Sequence, residues 1–281
     1  MSLVSIADKN ADFSDLNTAM IVAEVGELHS VAAVYSFEHN QFLRVDILNQ
    51  QAGENKFADL ELFKMSAKQK MVMIAAGKTL LIPSALFDKE KVNDLIQFNF
   101  EDFNPDTEKV LYNKLNHLNS YLLFTVDSER LNRLTAYFDN QAIYHRATAF
   151  LETCVLFQNE RLKNQETPTI FVDILEHSII LSLFHSGKLA FFNQIAFKTP
   201  QDLVFFIVKL ADEFKLDTKK TDLFLSGKVS FPKDEILQEI RKFFLQVYPF
   251  EFTKFFGVSP ALKSISLVAY NTLFNLPFCV S

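Results

Sequence analysis

The chain has 281 residues, of which 49% are hydrophobic and 22% are charged, and it contains two cysteines. This composition excludes a disordered chain, a collagen-like fibre and a disulfide-stabilised scaffold. The formal net charge of -6 argues against a nucleic-acid partner, because such binding needs many Lys and Arg contacts to phosphate.

The first half of the chain is predicted to begin with an irregular polar segment, residues 1–19, and then to mix strands with helices. Apolar runs bounded by turn residues predict strands, and longer runs predict helices. The predicted strands are 19–25, 30–37, 41–48, 71–76, 79–82, 110–115, 120–126 and 143–145. The predicted helices are 54–69, 84–98, 128–138 and 148–162, with caps at Ser84 and at Asp127 or Ser128.

The second half begins after a polar segment, residues 164–168, which ends in a proline and is predicted to be a linker. Its predicted strands are 169–173, 178–185, 188–197 and 222–225, with an extended stretch at 249–255. Its predicted helices are 200–214, 234–246 and 260–274, the first with Thr199 as cap and an acid three residues later. The predicted domains are therefore residues 1–163 and 164–281.

The two halves share a pattern. Each opens with a short apolar strand that ends in an acid, followed by a polar turn and two more strands. The acids are Glu24 and Asp173, which are 149 positions apart, and similarity at half the chain length indicates an internal duplication. The order of three strands, a helix, a strand and a helix is that of an RNase-H-like domain.

With these residues the chain resembles the actin-like ATPase superfamily, above all its bacterial pilus-assembly and secretion branch and uncharacterised bacterial proteins of the same fold. The resemblance implies an α/β fold with mixed sheets, in which two RNase-H-like domains face each other across a cleft. In active members the first hairpin of each domain holds phosphate, and the acid of the second hairpin organises Mg²⁺ and water.

The resemblance also indicates damage to both phosphate loops. Active members carry Asp-x-Gly in the second domain, whereas Asp173 is followed by Ile174 and Leu175, whose Cβ disfavours a positive φ. In the first domain Glu24 and Gly26 are present, but Glu27 follows where active members have Lys, Thr or Ser. We therefore expect weak or lost nucleotide binding and no bound cofactor.

One further segment fits the superfamily. An apolar strand that ends in Gly-Gly or Ser-Gly contacts adenosine in active members, and residues 223–227 end in Ser226 and Gly227. An ordinary turn at the end of a strand explains the same letters equally well, so both interpretations stay open.

Three functions are compatible with the sequence. The favoured one is a non-catalytic scaffold or partner-binding module. The alternatives are a switch or ATPase that binds ATP with Mg²⁺, and a metal-dependent nuclease that uses Asp173 and Asp222 with Glu176 or Asp202 as a third acid. The cysteines and histidines show no metal or redox spacing, and no signal peptide or apolar run of membrane-spanning length is present. We therefore expect a cytoplasmic protein without metal.

The partner surface is predicted in the phenylalanine-rich segment 243–256. Phe255 and Phe256 are adjacent, and in an extended chain adjacent side chains face opposite ways. One of the two rings is therefore expected to be exposed and to bind a protein partner or a second copy of the chain.

Overall fold

The computed structural model describes residues 2–14, 16–26, 28–49, 61–75, 77–138, 141–161 and 167–280. The protein is α/β with mixed sheets, as predicted. Its strands are β1 (Ser2–Ala7), β2 (Leu16–Val25), β3 (His29–Ser36), β4 (Gln41–Asn49), β5 (Ala67–Ile74), β6 (Thr79–Pro83), β7 (Glu108–Leu115), β8 (Ser120–Asp127), β9 (Ile143–His145), β10 (Thr169–Ile174), β11 (Ser178–His185), β12 (Lys188–Ala196), β13 (Asp222–Gly227), β14 (Gln246–Pro249) and β15 (Gly257–Val258). Its helices are α1 (Glu61–Lys64), α2 (Val92–Asn99), α3 (Ser128–Tyr137), α4 (Arg146–Arg161), α5 (Pro200–Glu213), α6 (Glu235–Ile240) and α7 (Asn271–Cys279).

The strands form three sheets. The first has the order β1-β4-β3-β2-β5-β9, with β15 also paired to β4, the second β12-β11-β10-β13-β14, and the third β6-β8-β7. Strands β4-β3-β2-β5-β9 match β12-β11-β10-β13-β14 in order and in direction, with two antiparallel pairings followed by two parallel ones. The division at residue 163 and the origin of this match by duplication stay predictions.

The two larger sheets enclose a pair of helices. The outer face of the first sheet packs on α1 and α3, and the outer face of the second packs on α5 and α6. Between the two sheets lie α4 and α7, which contact each other and cover the inner faces. The molecule is thus layered, and the central strands β2, β3, β10, β11 and β13 are buried on both sides, which accounts for their being apolar along nearly their whole length.

Several of the predicted helix caps are present in the structure. Thr199 and Asp202 form a capping box at the start of α5, and Asp127 accepts a hydrogen bond from the amide of Arg130 at the start of α3. At the predicted helix 84–98 the chain instead makes two 3₁₀ turns before α2. Asp88 caps the second of these turns, and the Ser84 side chain caps nothing.

Some predicted elements are wrong because tertiary pairing overrides local preference. Residues 2–7 are not irregular, since β1 pairs antiparallel with β4. Helix 54–69 is reduced to α1, β5 already begins at Ala67, and residues 54–60 lie outside the described residues. Helix 234–246 ends at Ile240 because Gln246 joins β14 beside β13, and helix 260–274 is replaced by a 3₁₀ turn and the later α7.

The C-terminal segment packs back onto the first sheet. Strand β15 pairs parallel with the start of β4, and α7 covers the inner face of that sheet. The Ser259 hydroxyl donates a hydrogen bond to Asp8 at 2.6 Å, so residues 251 positions apart are in contact. Within the described ranges, no helix is long and apolar enough to cross a membrane.

Candidate functional site

Glu24 and Asp173 lie at the same position in equivalent strands, one residue before the end of β2 and of β10. Alternation along a strand places the flanking residues of each on the outer face of its sheet, where Val25 and Ile174 pack in the outer cores. The two carboxylates therefore point to the inner faces. Both are buried, with side chains 7% and 0% exposed, and they converge on the N-terminus of α4.

Arg146, the first residue of α4, binds both carboxylates. Its Nη1 donates to Glu24 Oε1 at 2.6 Å, while its Nε and Nη2 donate to Asp173 Oδ2 and Oδ1 at 2.6 and 3.1 Å. The arginine side chain is 5% exposed. A guanidinium presents its N–H groups in a planar fork, so it can bind one carboxylate along each side.

The formal charges of this cluster, Glu24, Arg146 and Asp173, sum to -1, and hydrogen bonds stabilise the charged groups. Burial alone would lower the pKa of Arg146, but the Asp173 and Glu24 carboxylates outweigh it and raise that pKa above its usual value. Asp173 also accepts hydrogen bonds from the hydroxyls of Ser226 at 2.9 Å and Thr272 at 3.1 Å. The cluster thus joins β2, α4, β10, β13 and α7.

The junction between β9 and α4 fixes the position of Arg146. The Asn113 carboxamide on β7 accepts from the amide of His145 at 2.8 Å and from the Thr148 hydroxyl at 2.9 Å. The ring of His145 in turn accepts from the amide of Ala147 at 3.1 Å, in the manner of a helix cap. The first turn of α4 is therefore held on both sides of the arginine.

The two predicted phosphate turns are closed by the same kind of main-chain hydrogen bond. The amide of Gly26 donates to the carbonyl of His29 at 3.1 Å, and the amide of Leu175 donates to that of Ser178 at 2.9 Å. Neither Gly26 nor Leu175 has a positive φ. The expectation that Leu175 damages its turn through backbone strain is therefore wrong, because the turn does not use that conformation. Glu27 lies outside the described residues.

Ser226 and Gly227 end β13, and Ser226 is paired with Asp173 on β10. The Ser226 hydroxyl is engaged by Asp173, and Gly227 has φ +83°. A Cβ at Gly227 would lie 2.1 Å from the carbonyl oxygen of Ile174. Close packing of β13 against β10 thus explains the glycine, and contact with adenosine remains a prediction.

A cleft of about 430 Å³ opens next to the cluster and is lined by both turns, by Gly227 and by Tyr270. Its cations have partners. Lys228 binds Glu176 at 2.7 Å and Arg130 donates to the carbonyl of Val25 at 2.8 Å. His29 Nδ1 lies 3.8 Å from Glu176, linking the two turns. Burial lowers the pKa of His29, and Lys228 adds to this effect.

The carboxylates of the nuclease hypothesis do not come together. Asp222 begins β13 opposite Thr169, four residues from the level of Asp173, which is roughly 13 Å along a strand. Asp202 serves in the capping box of α5, and Glu176 pairs with Lys228. In the described part of the chain, no three His, Cys, Asp or Glu side chains are grouped so as to hold a metal ion.

Phe255 and Phe256 lie in a shared aromatic cluster, and the predicted exposed ring is absent. Phe256 is 6% exposed and stacks on Phe278 with ring centroids 5.6 Å apart, and Phe255 is partly buried and stacks on the same ring at 6.1 Å. The prediction assumed an extended chain. The chain turns at Lys254 and Phe255, and both side chains contact Phe278.

Sequence reasoning missed Arg146 and Thr272. A single arginine carries no motif, and the helix was predicted to begin two residues after it. One signal was available, because Arg146 stands in an otherwise uncharged run from 141 to 151, between a predicted strand and a predicted helix. A cation in such a place requires buried acids as partners.

Comparison with protein families gives one match. The family model described as "Protein of unknown function (DUF3822)" matches residues 28–247, which is most of the chain. A search of curated proteins found no match.

Solved structures confirm the fold. A protein from Bacteroides thetaiotaomicron VPI-5482, described as having an actin-like ATPase fold and unknown function, aligns with a TM-score of 0.75 at 18% identity. The alignment covers 85% of this chain and 93% of that one. A chain of the PilM–PilN type IV pilus biogenesis complex aligns with a TM-score of 0.61 at 9% identity, covering 94% and 98% of the two chains. The chain therefore has the actin-like two-domain fold.

Proposed function

Since this chain belongs to the family of unknown function DUF3822, we propose a function from its site: a non-catalytic protein of actin-like fold that acts as a scaffold or partner-binding module, with weak or lost nucleotide binding. The observation that carries the proposal is the binding of Arg146 to both Glu24 and Asp173. These are the acids of the two turns that hold phosphate and Mg²⁺ in active members of the superfamily.

The carboxylate oxygens of the cluster are already engaged, which leaves few ligands for Mg²⁺. Mg²⁺ takes oxygen ligands in a strict octahedral geometry, and carboxylates are its usual protein ligands. Here a guanidinium lies between the two carboxylates, and two hydroxyls occupy further lone pairs of Asp173. A divalent ion would have to displace a buried arginine, which would then lack any partner for its charge.

The cleft is also unfavourable for a triphosphate. Phosphate recognition needs cations or free amides. In the part of the cleft that the structure describes, Arg146 and Lys228 are each bound to carboxylates, and Glu24 and Glu176 contribute negative charge. A polyphosphate would be repelled by these acids, and Arg130, the other arginine that lines the cleft, already donates to the carbonyl of Val25.

A partner-binding role is supported by apolar side chains that the fold leaves in solvent. Phe98 is 88% exposed, Leu86 71%, Leu245 67% and Phe205 59%. Removing large apolar side chains such as these from water on binding a partner is favourable. The partner is proposed to be a protein, or a second copy of the chain, in the cytoplasm.

One observation favours the alternative, an ATP-binding switch. The cleft of about 430 Å³ beside the cluster is within the range of small-molecule sites, and it lies between the two matching turns. A nucleotide that moved Arg146 aside would find both acids and both turns close together.

Thermal melting with Mg-ATP separates the two functions. We expect millimolar Mg-ATP to raise the melting temperature by less than about 2 °C, because the proposed function implies weak or lost binding. A ligand present at a hundred times its Kd would instead stabilise the folded protein by about 2.7 kcal/mol and raise the melting temperature further. The arms are the wild type, Asp173→Asn, and Asp222→Asn as a matched control on the neighbouring strand. A large shift that needs Mg²⁺ and disappears only in Asp173→Asn would establish ATP binding and overturn the proposal.

A further inference from the structure

Strand β1 forms one edge of the first sheet, and its outer side is open. It pairs with β4 on one side, and among the described residues no strand pairs with the other side. The amide of Asp8, just after β1, donates to the carbonyl of Leu43 on the β4 side at 2.8 Å. Main-chain groups alternate between the two sides of an antiparallel strand. The N–H and C=O groups that point away from the sheet are therefore those of Leu3, Ser5 and Ala7.

This edge lacks the features that keep sheet edges from pairing. Proteins protect open edges with lysine, with proline or by keeping the strand very short. Of the strands that end the three sheets in the described chain, β7 and β12 carry lysine, β6 and β14 contain proline, and β9 has three residues. Strand β1 has neither charge nor proline, and its Leu3 and Val4 are 51% and 43% exposed. It is the edge most open to another strand.

The C-terminal segment that contacts β1 lies under the sheet rather than along this edge. The 3₁₀ turn Pro260–Leu262 is next to β1, and its Leu262 packs in the inner core, where Ile6 also packs. A groove of about 560 Å³ lies between this turn and the end of β1, lined by residues 5–10 and 259–261. Ala7 borders the groove, so a large side chain has room opposite it.

We propose that β1 pairs antiparallel with β1 of a second copy of the chain, about a two-fold axis at Ser5. In this register all three outward residues bond to their counterparts, and Leu3 lies opposite Ala7 of the second copy. A large side chain thus meets a small one, Val4 meets Ile6 on the inner face, and no charges are brought together. A second copy fits this edge because the strand is complementary to itself.

The proposal rests on the partner-binding function above and identifies the partner as a second copy. The first sheets of the two copies become one continuous sheet. A pair of six-residue strands is smaller than a standard interface of about 1,600 Å². We therefore expect a weak dimer whose population rises with protein concentration.

Sedimentation equilibrium of the full-length chain over a wide range of concentration tests the proposal. Leu3→Lys should raise the dimer dissociation constant about tenfold or more, because it removes an apolar contact twice in each dimer. Leu86→Lys, at a leucine that is 71% exposed in the 3₁₀ turn after β6, is the matched control and should associate as the wild type does. A chain that is monomeric at every concentration overturns the proposal, and so does Leu3→Lys that dimerises as the wild type does.

Two double variants test the register. Leu3→Lys with Ala7→Glu places opposite charges across the two-fold axis, whereas Leu3→Lys with Ala7→Lys places like charges there. The first should dimerise more tightly than the second. The net charge of the chain works against this order, because the variant with two lysines is less negative and repels a second copy less. Equal affinities, or the reverse order, would show that the strands do not pair about Ser5.

Hydrogen exchange followed by NMR tests the pairing itself. The amides of Leu3, Ser5 and Ala7 should exchange quickly in dilute solution and slowly at high concentration, while those of Val4 and Ile6, which face β4, are protected in both. If the first three are already protected in a dilute monomer, another segment of the same chain covers the edge, and the proposal is wrong. A chain without this dimer leaves the melting result with Mg-ATP unaffected, so the two failures can be told apart.

Discussion

Glu24 and Asp173 hold opposite sides of one guanidinium, although they belong to different sheets. Each lies one residue before the end of the central strand of its sheet. Arg146, at the N-terminus of the helix between the two sheets, donates hydrogen bonds to both. The cluster therefore fixes how the two sheets approach each other at the base of the cleft. We therefore expect loss of the cluster to act first on the free energy of unfolding.

Arg146→Ala should destabilise the protein by about 3–5 kcal/mol, because it leaves two carboxylates buried without a cation. Urea unfolding measures this change. The triple variant Glu24→Gln, Arg146→Met, Asp173→Asn removes all three charges together and should recover most of the loss. If Arg146→Ala alone costs less than about 1 kcal/mol, water reaches the cluster and the buried ion pairs do not tie the sheets together.

Gly227→Ala should cost more than Gly187→Ala, although both glycines have positive φ, at +83° and +72°. A Cβ at Gly187 meets no atom within 4 Å, so that variant should lose only the conformational cost of about 1–2 kcal/mol. At Gly227 the Cβ would also meet Ile174 and Asp173, and the total should exceed about 3 kcal/mol. Chemical denaturation of both variants compares them directly, and equal losses would show that β13 can move away from β10.

Acid should destabilise the wild type partly through His29. Burial lowers the pKa of this imidazole in the folded state, so the unfolded chain binds the proton first as the pH falls below about 6.5. The stability contributed by neutral His29 is present above that value and is lost as the pH falls through the lowered folded pKa. The charged groups around His29 include Glu24 and Glu176, which oppose this shift, and Lys228 and Arg146, which add to it.

Melting temperatures at about pH 8 and about pH 5 check this prediction. His29→Gln should lose less stability between the two conditions than the wild type does. His185→Gln, at an exposed position at the end of β11, is the control and should follow the wild type. A steeper loss in His29→Gln than in the wild type would contradict the direction of the shift.

Phe256→Ala should cost about 3–5 kcal/mol, because the ring fills a core position between Phe42, Phe274 and Phe278. Phe243→Ala, in the same phenylalanine-rich segment but at a site 47% exposed, should change stability by less than about 1 kcal/mol. Thermal unfolding of the two variants decides whether Phe256 belongs to the core. A negligible effect of Phe256→Ala would restore the exposed surface predicted from the sequence.

Much of the fold could be predicted because its signals are local. Apolar runs and turn residues indicated β2 to β4 and β10 to β12, and the comparison of the halves around Glu24 and Asp173 indicated two equivalent sheets. Cap residues such as Thr199 also acted where expected, since a cap depends on neighbours within a few positions.

The remainder depends on contacts between distant residues. Strand β1 looks irregular by itself and becomes a strand only through pairing with β4. The turn at Lys254 and Phe255 interrupts the alternation used to place Phe256. Arg146 is 122 positions from Glu24 and 27 from Asp173, and no spacing within the sequence relates the three. The centre of the candidate site was therefore the part that sequence patterns could not supply.

The return of the C-terminal segment to the first sheet sets an order for folding during synthesis. The inner face of that sheet, with Met20 and Val22, is covered by Phe274 and other residues of α7. It cannot be covered before residues 271–279 have left the ribosome, by which time the rest of the described chain has been made. The nascent first sheet consequently carries a bare apolar face through most of translation, which makes it a substrate for chaperones and a point at which aggregation can begin.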